Sequence, residues 1–120
     1  MSDIDTVKAL DAAIIDGINA QDAALATAPY AQDGAVLPPG SPMLSGRDAI
    51  RGYWQAAIDG GLSDVVANPT DAQVNGDLAV TMGTLSASMG GQGLTGKYIL
   101  YFRNGDDGWK VQCDIWNFDA

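Results

Sequence analysis

Apolar positions between residues 3 and 19 recur at steps of three and four. Ile4, Val7, Leu10, Ile14 and Ile18 therefore share one helical face. Ser2 is placed to cap this helix, with Asp5 three residues on and negative charge at the helix start. Asn19-Ala20-Gln21-Asp22 ends it, and Asp22 opens a short second helix over 22–28 that Pro29 limits. Asp33-Gly34 then reads as a turn and Ala35-Val36-Leu37 as a brief apolar strand. Pro38, Pro39 and Pro42 stop that strand. A third helix covers 47–59, with Ile50, Tyr53, Trp54 and Ala57 on one side and Gly60-Gly61 as its stop.

From residue 62 the period changes to two. Leu62 to Val74 reads as a weak strand region interrupted by Asn68-Pro69, and Asn75-Gly76 is a hairpin signal. Leu78 to Met89, Leu94 to Arg103 and Trp109 to Phe118 read as long strands joined by glycine-rich or Asn-Gly-Asp-Asp-Gly turns. Three helices followed by a meander of strands make an α+β domain, expected to span 1–120 as one unit. The late strands are apolar on both faces: Ile99 and Tyr101 alternate with Tyr98, Leu100 and Phe102. A sheet of that kind must be covered on both faces. Helices are expected on one, and a second copy of the chain, giving a homodimer, on the other.

Charge and composition narrow the function. The chain has 120 residues, 15 acidic side chains that are all Asp, and a formal charge of −9. Phosphate would be repelled, so neither nucleic acid nor an anionic membrane is an expected partner. There is no His and one Cys. A His-based catalytic triad is excluded, an intrachain disulfide cannot form, and imidazole or thiolate metal sites are not expected. No apolar run reaches the ~20 residues of a membrane span. Asp3 and Asp5 stand where a signal peptide would carry basic residues, so a cytoplasmic protein is expected. No cofactor is called for.

The stretch Tyr30 to Trp54 combines a Tyr-Ala-Gln-Asp turn, a short strand, a Pro/Gly loop and Gly46-Arg47-Asp48-Ala49-Ile50-Arg51. It resembles the start of the cone in the nuclear-transport-factor-2-like superfamily, especially its SnoaL-like branch. The resemblance implies a cystatin-like cone: a curved antiparallel sheet wrapping three N-terminal helices around a pocket open at one end. Ketosteroid isomerase is a relative that uses a tyrosine and a protonated aspartic acid as oxyanion donors and a second aspartate as base. Registration on Asn19–Asp22, on Tyr30 and on Phe102-Arg103 puts those three roles at Ile14, Pro38 and Leu100. All are apolar, so the resemblance implies the fold and not the isomerase mechanism.

One acid remains in a suitable place. By alternation Gln112, Asp114, Trp116 and Phe118 share a face, which the resemblance directs into the cone. SnoaL-like cyclases and limonene epoxide hydrolase are similar in placing an acid–base aspartate on this strand, so Asp114 is the candidate catalytic residue. It is expected to be the interior's only carboxylate. The alternative is structural: Asp114 bonds Arg47, Arg51 or a backbone amide and holds helix 3 on the sheet. Trp54, Tyr98, Trp116, Met82, Ile14 and Leu100 are the candidate ligand-binding residues, with Met82 and Thr84 assigned to the inward side of their strand. As core they would need no ligand. Cys113 points away from Asp114, Asp106-Asp107 reads as a solvated turn, and Gly90-Gly91-Gln92-Gly93 lacks the helix a phosphate cradle needs. The expected function is binding of a small, mostly apolar molecule, with acid–base isomerase, cyclase or dehydratase chemistry. The rival is a non-catalytic dimerising module with a filled core.

Overall fold

Helix α1 spans Asp3–Asn19, and the Ser2 side chain caps it by accepting from the Asp5 backbone N–H at 3.1 Å. The computed structural model describes residues 2–119. The buried row of α1 is Val7, Asp11, Ile14 and Ile18, at steps of four, three and four. Ile4 lies outside that row and is exposed, and Leu10 is only half-buried. The expected apolar face is thus rotated, and it carries a carboxylic acid. Helix α2, Ala23–Thr27, is capped by Asp22, which accepts from the Leu25 N–H at 3.0 Å. It packs so tightly on α1 that a Cβ on Gly17 would collide with the backbone of Ala26.

The remaining elements are β1 (Tyr30–Leu37), β2 (Leu44–Ser45), α3 (Arg47–Asp59), β3 (Leu62–Asn75), β4 (Leu78–Met89), β5 (Gln92–Gly105) and β6 (Gly108–Phe118). They form one six-stranded sheet in the order β2-β1-β6-β5-β4-β3. Every neighbouring pair is antiparallel except β1 and β6, which run parallel. Helix α1 touches β3, β4 and β6, strands far apart in that order, so the sheet wraps the helix as the cone requires.

Two local expectations change. Tyr30 begins a strand instead of a turn, and Asp33-Gly34 falls inside β1 at an irregularity. Asn68-Pro69 does not interrupt β3. Register shifts near Ser63–Val66 and Pro69–Asp71 absorb the irregular residues as bulges, which bend a strand without ending it. The first bulge, where Asp64 has φ of 52°, is clamped to the end of α1. Asn19 donates to the Val65 carbonyl at 2.8 Å and accepts from its N–H at 2.9 Å.

Strand phase decides which side chains see the interior. On β4, Ala79, Thr81 and Ala87 are buried, and Met82 is 44% exposed. Met82 and Thr84 therefore face outward, contrary to expectation. The small residues Thr81 and Gly83 occupy the inward positions, where there is little room beneath α1 and β3. On β6 the register steps from Val111 opposite Phe102 to Cys113 opposite Tyr101, so Gln112 is an extra residue. Trp109 and Val111 are buried before this bulge, and Asp114 and Trp116 after it. Gln112 leaves the expected inward row and donates to Asp33 Oδ1 at 3.1 Å.

Gly17→Ala is expected to lower stability by about 1–3 kcal/mol, because the added methyl meets backbone rather than a movable side chain. A denaturant midpoint equal to the wild type would contradict this close approach of α1 and α2.

Candidate active site

The interior holds a cavity of about 70 Å³ that is open to solvent. Helix α1 contributes Asp11, Ile14 and Ile18, and α3 contributes Trp54. Tyr98 and Leu100 come from β5, and Asp114, Trp116 and Phe118 from β6. Five of the expected pocket residues and Asp114 thus line one cavity, and Met82 is the exception.

Asp114 is 6% exposed and points inward because Ile115 takes the outer face. Its partner is not an arginine. Tyr30, which is fully buried, donates its hydroxyl to Asp114 Oδ2 at 2.6 Å. Arg47 is directed elsewhere, donating to the Ala28 carbonyl at 3.0 Å. Nor is Asp114 the only interior carboxylate. Asp11 is 3% exposed, and its Oδ2 accepts from Tyr98 at 2.8 Å and from Thr81 at 3.0 Å. The two acids stand on opposite elements, each held by a tyrosine. The described residues give neither Oδ1 a hydrogen bond.

Burial dominates the electrostatics. Desolvation pushes the Asp114 carboxyl up to about 7, against the Tyr30 hydrogen bond and aided by the negative charge of Asp11. Burial also raises Asp11, opposed by the hydrogen bonds from Tyr98 and Thr81. Burial and the adjacent carboxylates raise both Tyr30 and Tyr98, so each phenol stays protonated and acts as a donor. Burial, and next the charge of Asp114, also raise Cys113, which keeps its thiol protonated and unreactive.

Two of the lining rings lie against each other. Trp54 and Trp116 stack with centroids 5.3 Å apart and planes 16° from parallel. Tyr53 meets both edge-on, at 5.1 and 5.6 Å. The buried Trp54 Nε1 bears electrostatically on the Tyr30 hydroxyl, yet it meets no acceptor in hydrogen-bond geometry. Among the described residues no three Cys, His, Asp or Glu side chains gather as a metal-ligand set. No helix there is long and apolar enough to cross a membrane.

This cone of helices and curved sheet invites comparison with known proteins. A model of the SnoaL-like domain matches residues 12–112. The chain belongs to the SnoaL-like family. No curated protein matches the sequence. A ketosteroid isomerase-like protein from Erwinia carotovora atroseptica is similar in structure, with a TM-score of 0.87 at 16% identity, over 99% of this chain and 98% of that one. A cystatin-like domain from Nostoc punctiforme gives 0.85 at 20% identity, over 97% and 76%. A nuclear-transport-factor-2-like protein from Novosphingobium aromaticivorans gives 0.80 at 18% identity, over 95% and 80%. At such identities the likeness is one of fold.

Asp11, Tyr30 and Thr81 were not among the candidates from sequence. For Asp11 a signal existed: the spacing 7-11-14-18 places it in the buried stripe of α1 as well as Leu10 would fit its neighbours. Tyr30 and Thr81 reach the site through long-range pairing, which local pattern does not encode.

Because folding raises the Asp114 pKa, the folded state holds a proton that the unfolded chain has released between about pH 4 and pH 7. Stability is therefore highest below the unfolded pKa and falls as pH rises through this window, by on the order of 1.4 kcal/mol per pH unit. Asp114→Asn is expected to flatten that dependence. Equal pH slopes for variant and wild type in urea melts would contradict the raised pKa.

Proposed function

We propose that the cone binds a small, mostly apolar molecule and carries out acid–base chemistry on it, of the isomerase, cyclase or dehydratase kind, with Asp114 transferring the proton. The observation that carries this reading is a buried carboxyl on the cavity wall with no cation beside it, which burial pushes up to about 7. Such a group both gives and takes a proton near neutral pH, where general acid–base catalysis is most effective. Membership of the SnoaL-like family supports the same reading. Trp54, Tyr98, Trp116, Ile14 and Leu100 supply the apolar contact, and Tyr30 orients the carboxyl.

A rival reading is favoured by one number. The cavity of about 70 Å³ falls well below the ~300 Å³ usual for ligand sites, as expected of a module whose interior is only core. The ligand reading therefore requires a slim molecule, or one that reaches out through the mouth. In either reading the chain is proposed to be a cytoplasmic homodimer without a nucleic-acid partner. Met82, Ile99 and Ile115 are paired neighbours on β4, β5 and β6 and form an apolar stripe on the outer sheet face, each more than 40% exposed.

Small enolisable ketones in D2O test the chemistry without a known substrate. The wild type is expected to accelerate exchange of the hydrogens next to the carbonyl, and Asp114→Asn to lose about 10²-fold or more of that rate. Equal exchange in the two proteins would remove Asp114 from the mechanism. Turnover of a steroid substrate is expected to be absent or trace, since the side chains of Ile14, Pro38 and Leu100 carry no exchangeable proton. Sedimentation should show a dimer at micromolar concentration that Ile99→Lys dissociates. A wild-type monomer would refute the interface.

A further inference from the structure

The two interior acids do not stand in the same environment. Asp11 receives two hydroxyl hydrogen bonds on one oxygen, from Tyr98 and Thr81, and Asp114 receives one, from Tyr30. Donors aimed at a carboxylate favour its charged form. No Lys or Arg lines the cavity to balance either charge. A buried carboxylate without a counter-charge is costly, and a proton or a cationic ligand relieves the cost. Asp114 is placed to keep a proton. Asp11, doubly hydrogen-bonded, is placed to await a cation.

The free polar atoms point the same way. Oδ1 of the ionised Asp11 is an acceptor that the described residues leave unused, and Asp11 lines the cavity. One donor, Trp54 Nε1, is also without a partner. The open side of an ionised Asp11 can only accept, so a ligand that engages it must bring donors. An ammonium group brings three and no acceptor. The stacked indoles of Trp54 and Trp116 offer the π-faces and apolar surface that suit an organic cation.

Resting on the small-molecule reading above, we propose that the ligand is a slim apolar primary amine, bound as its ammonium ion, with Asp11 as the anchoring carboxylate and Asp114 left free for proton transfer. The paired environments give the two acids separate roles. A ligand bearing a carboxylate is excluded by the same charges. Asp11 here is a binding residue, and the wall formed by Trp54 and Trp116 covers the carbon chain.

Three probes of one shape decide the matter: n-butylamine, n-butanol and n-butyrate. Their four-carbon chain is slim enough for an open cavity of about 70 Å³. Binding is read at pH 7.5 from the indole NMR signals of Trp54 and Trp116. Butylamine is expected to bind at least about tenfold more tightly than butanol, because the ammonium adds the attraction of opposite charges to the hydrogen bond that the alcohol also makes. Butyrate is expected not to bind. Asp11→Asn should abolish the preference, so that butylamine and butanol bind equally within the variant. Butanol binding as well as or better than butylamine in the wild type overturns the amine inference and leaves the small-molecule reading standing. An amine preference that survives Asp11→Asn overturns the anchoring role. Binding of none of the three overturns both. The wild-type comparison does not depend on any variant folding.

Discussion

The hydrogen bond from Tyr30 to Asp114 is the constraint around which the interior is arranged. It joins the first residue of β1 to the middle of β6, 84 positions apart, at 2.6 Å. These two strands form the only parallel pair among the described residues, and the bond sits at its buried side. An aspartate sealed beneath α1 and α3 with no donor would be strongly destabilising. A tyrosine without an acceptor there would be little better. Each makes the other tolerable, and together they fix how the helical corner meets the end of the sheet. Across the cavity, Asp11 repeats the arrangement with Tyr98 and Thr81, tying α1 to β4 and β5.

Two buried acids in a 120-residue domain lower its stability at neutral pH, because both are raised by burial. An apolar pair of similar volume would pack the cone at less cost. Stability alone does not account for these groups, and buried acids with raised pKa values cluster at functional sites. The unequal hydrogen bonding of Asp11 and Asp114 gives two acids on one cavity different environments.

Local pattern made most of the architecture legible. The caps at Ser2 and Asp22, the stop at Gly60-Gly61 and the hairpin at Asn75-Gly76 are local signals, and the elements end where they fall. The inward row of Asp114 and Trp116 was legible because alternation holds after the bulge at Gln112. Met82 went astray because β4 is built of small residues whose alternation carries no contrast, so its phase is set by what fits beneath α1. Asp11 was hidden for a different reason. A charged residue in an apolar stripe reads as a solvated position until a partner is known, and its partners lie 70 and 87 residues away. Tyr30 was visible only as a landmark, since a parallel pairing across most of the chain leaves no mark in local sequence.

The central claim is that the cone holds an aspartic acid poised near neutrality and tuned by a second acid. Carboxyl-carbon NMR of 13C-labelled protein follows each aspartate directly through a pH titration. Asp114 is expected to titrate at about 7, and to move downward in Asp11→Asn as the neighbouring negative charge is removed. Titration of Asp114 near 4, the range of an exposed aspartate, would contradict the account.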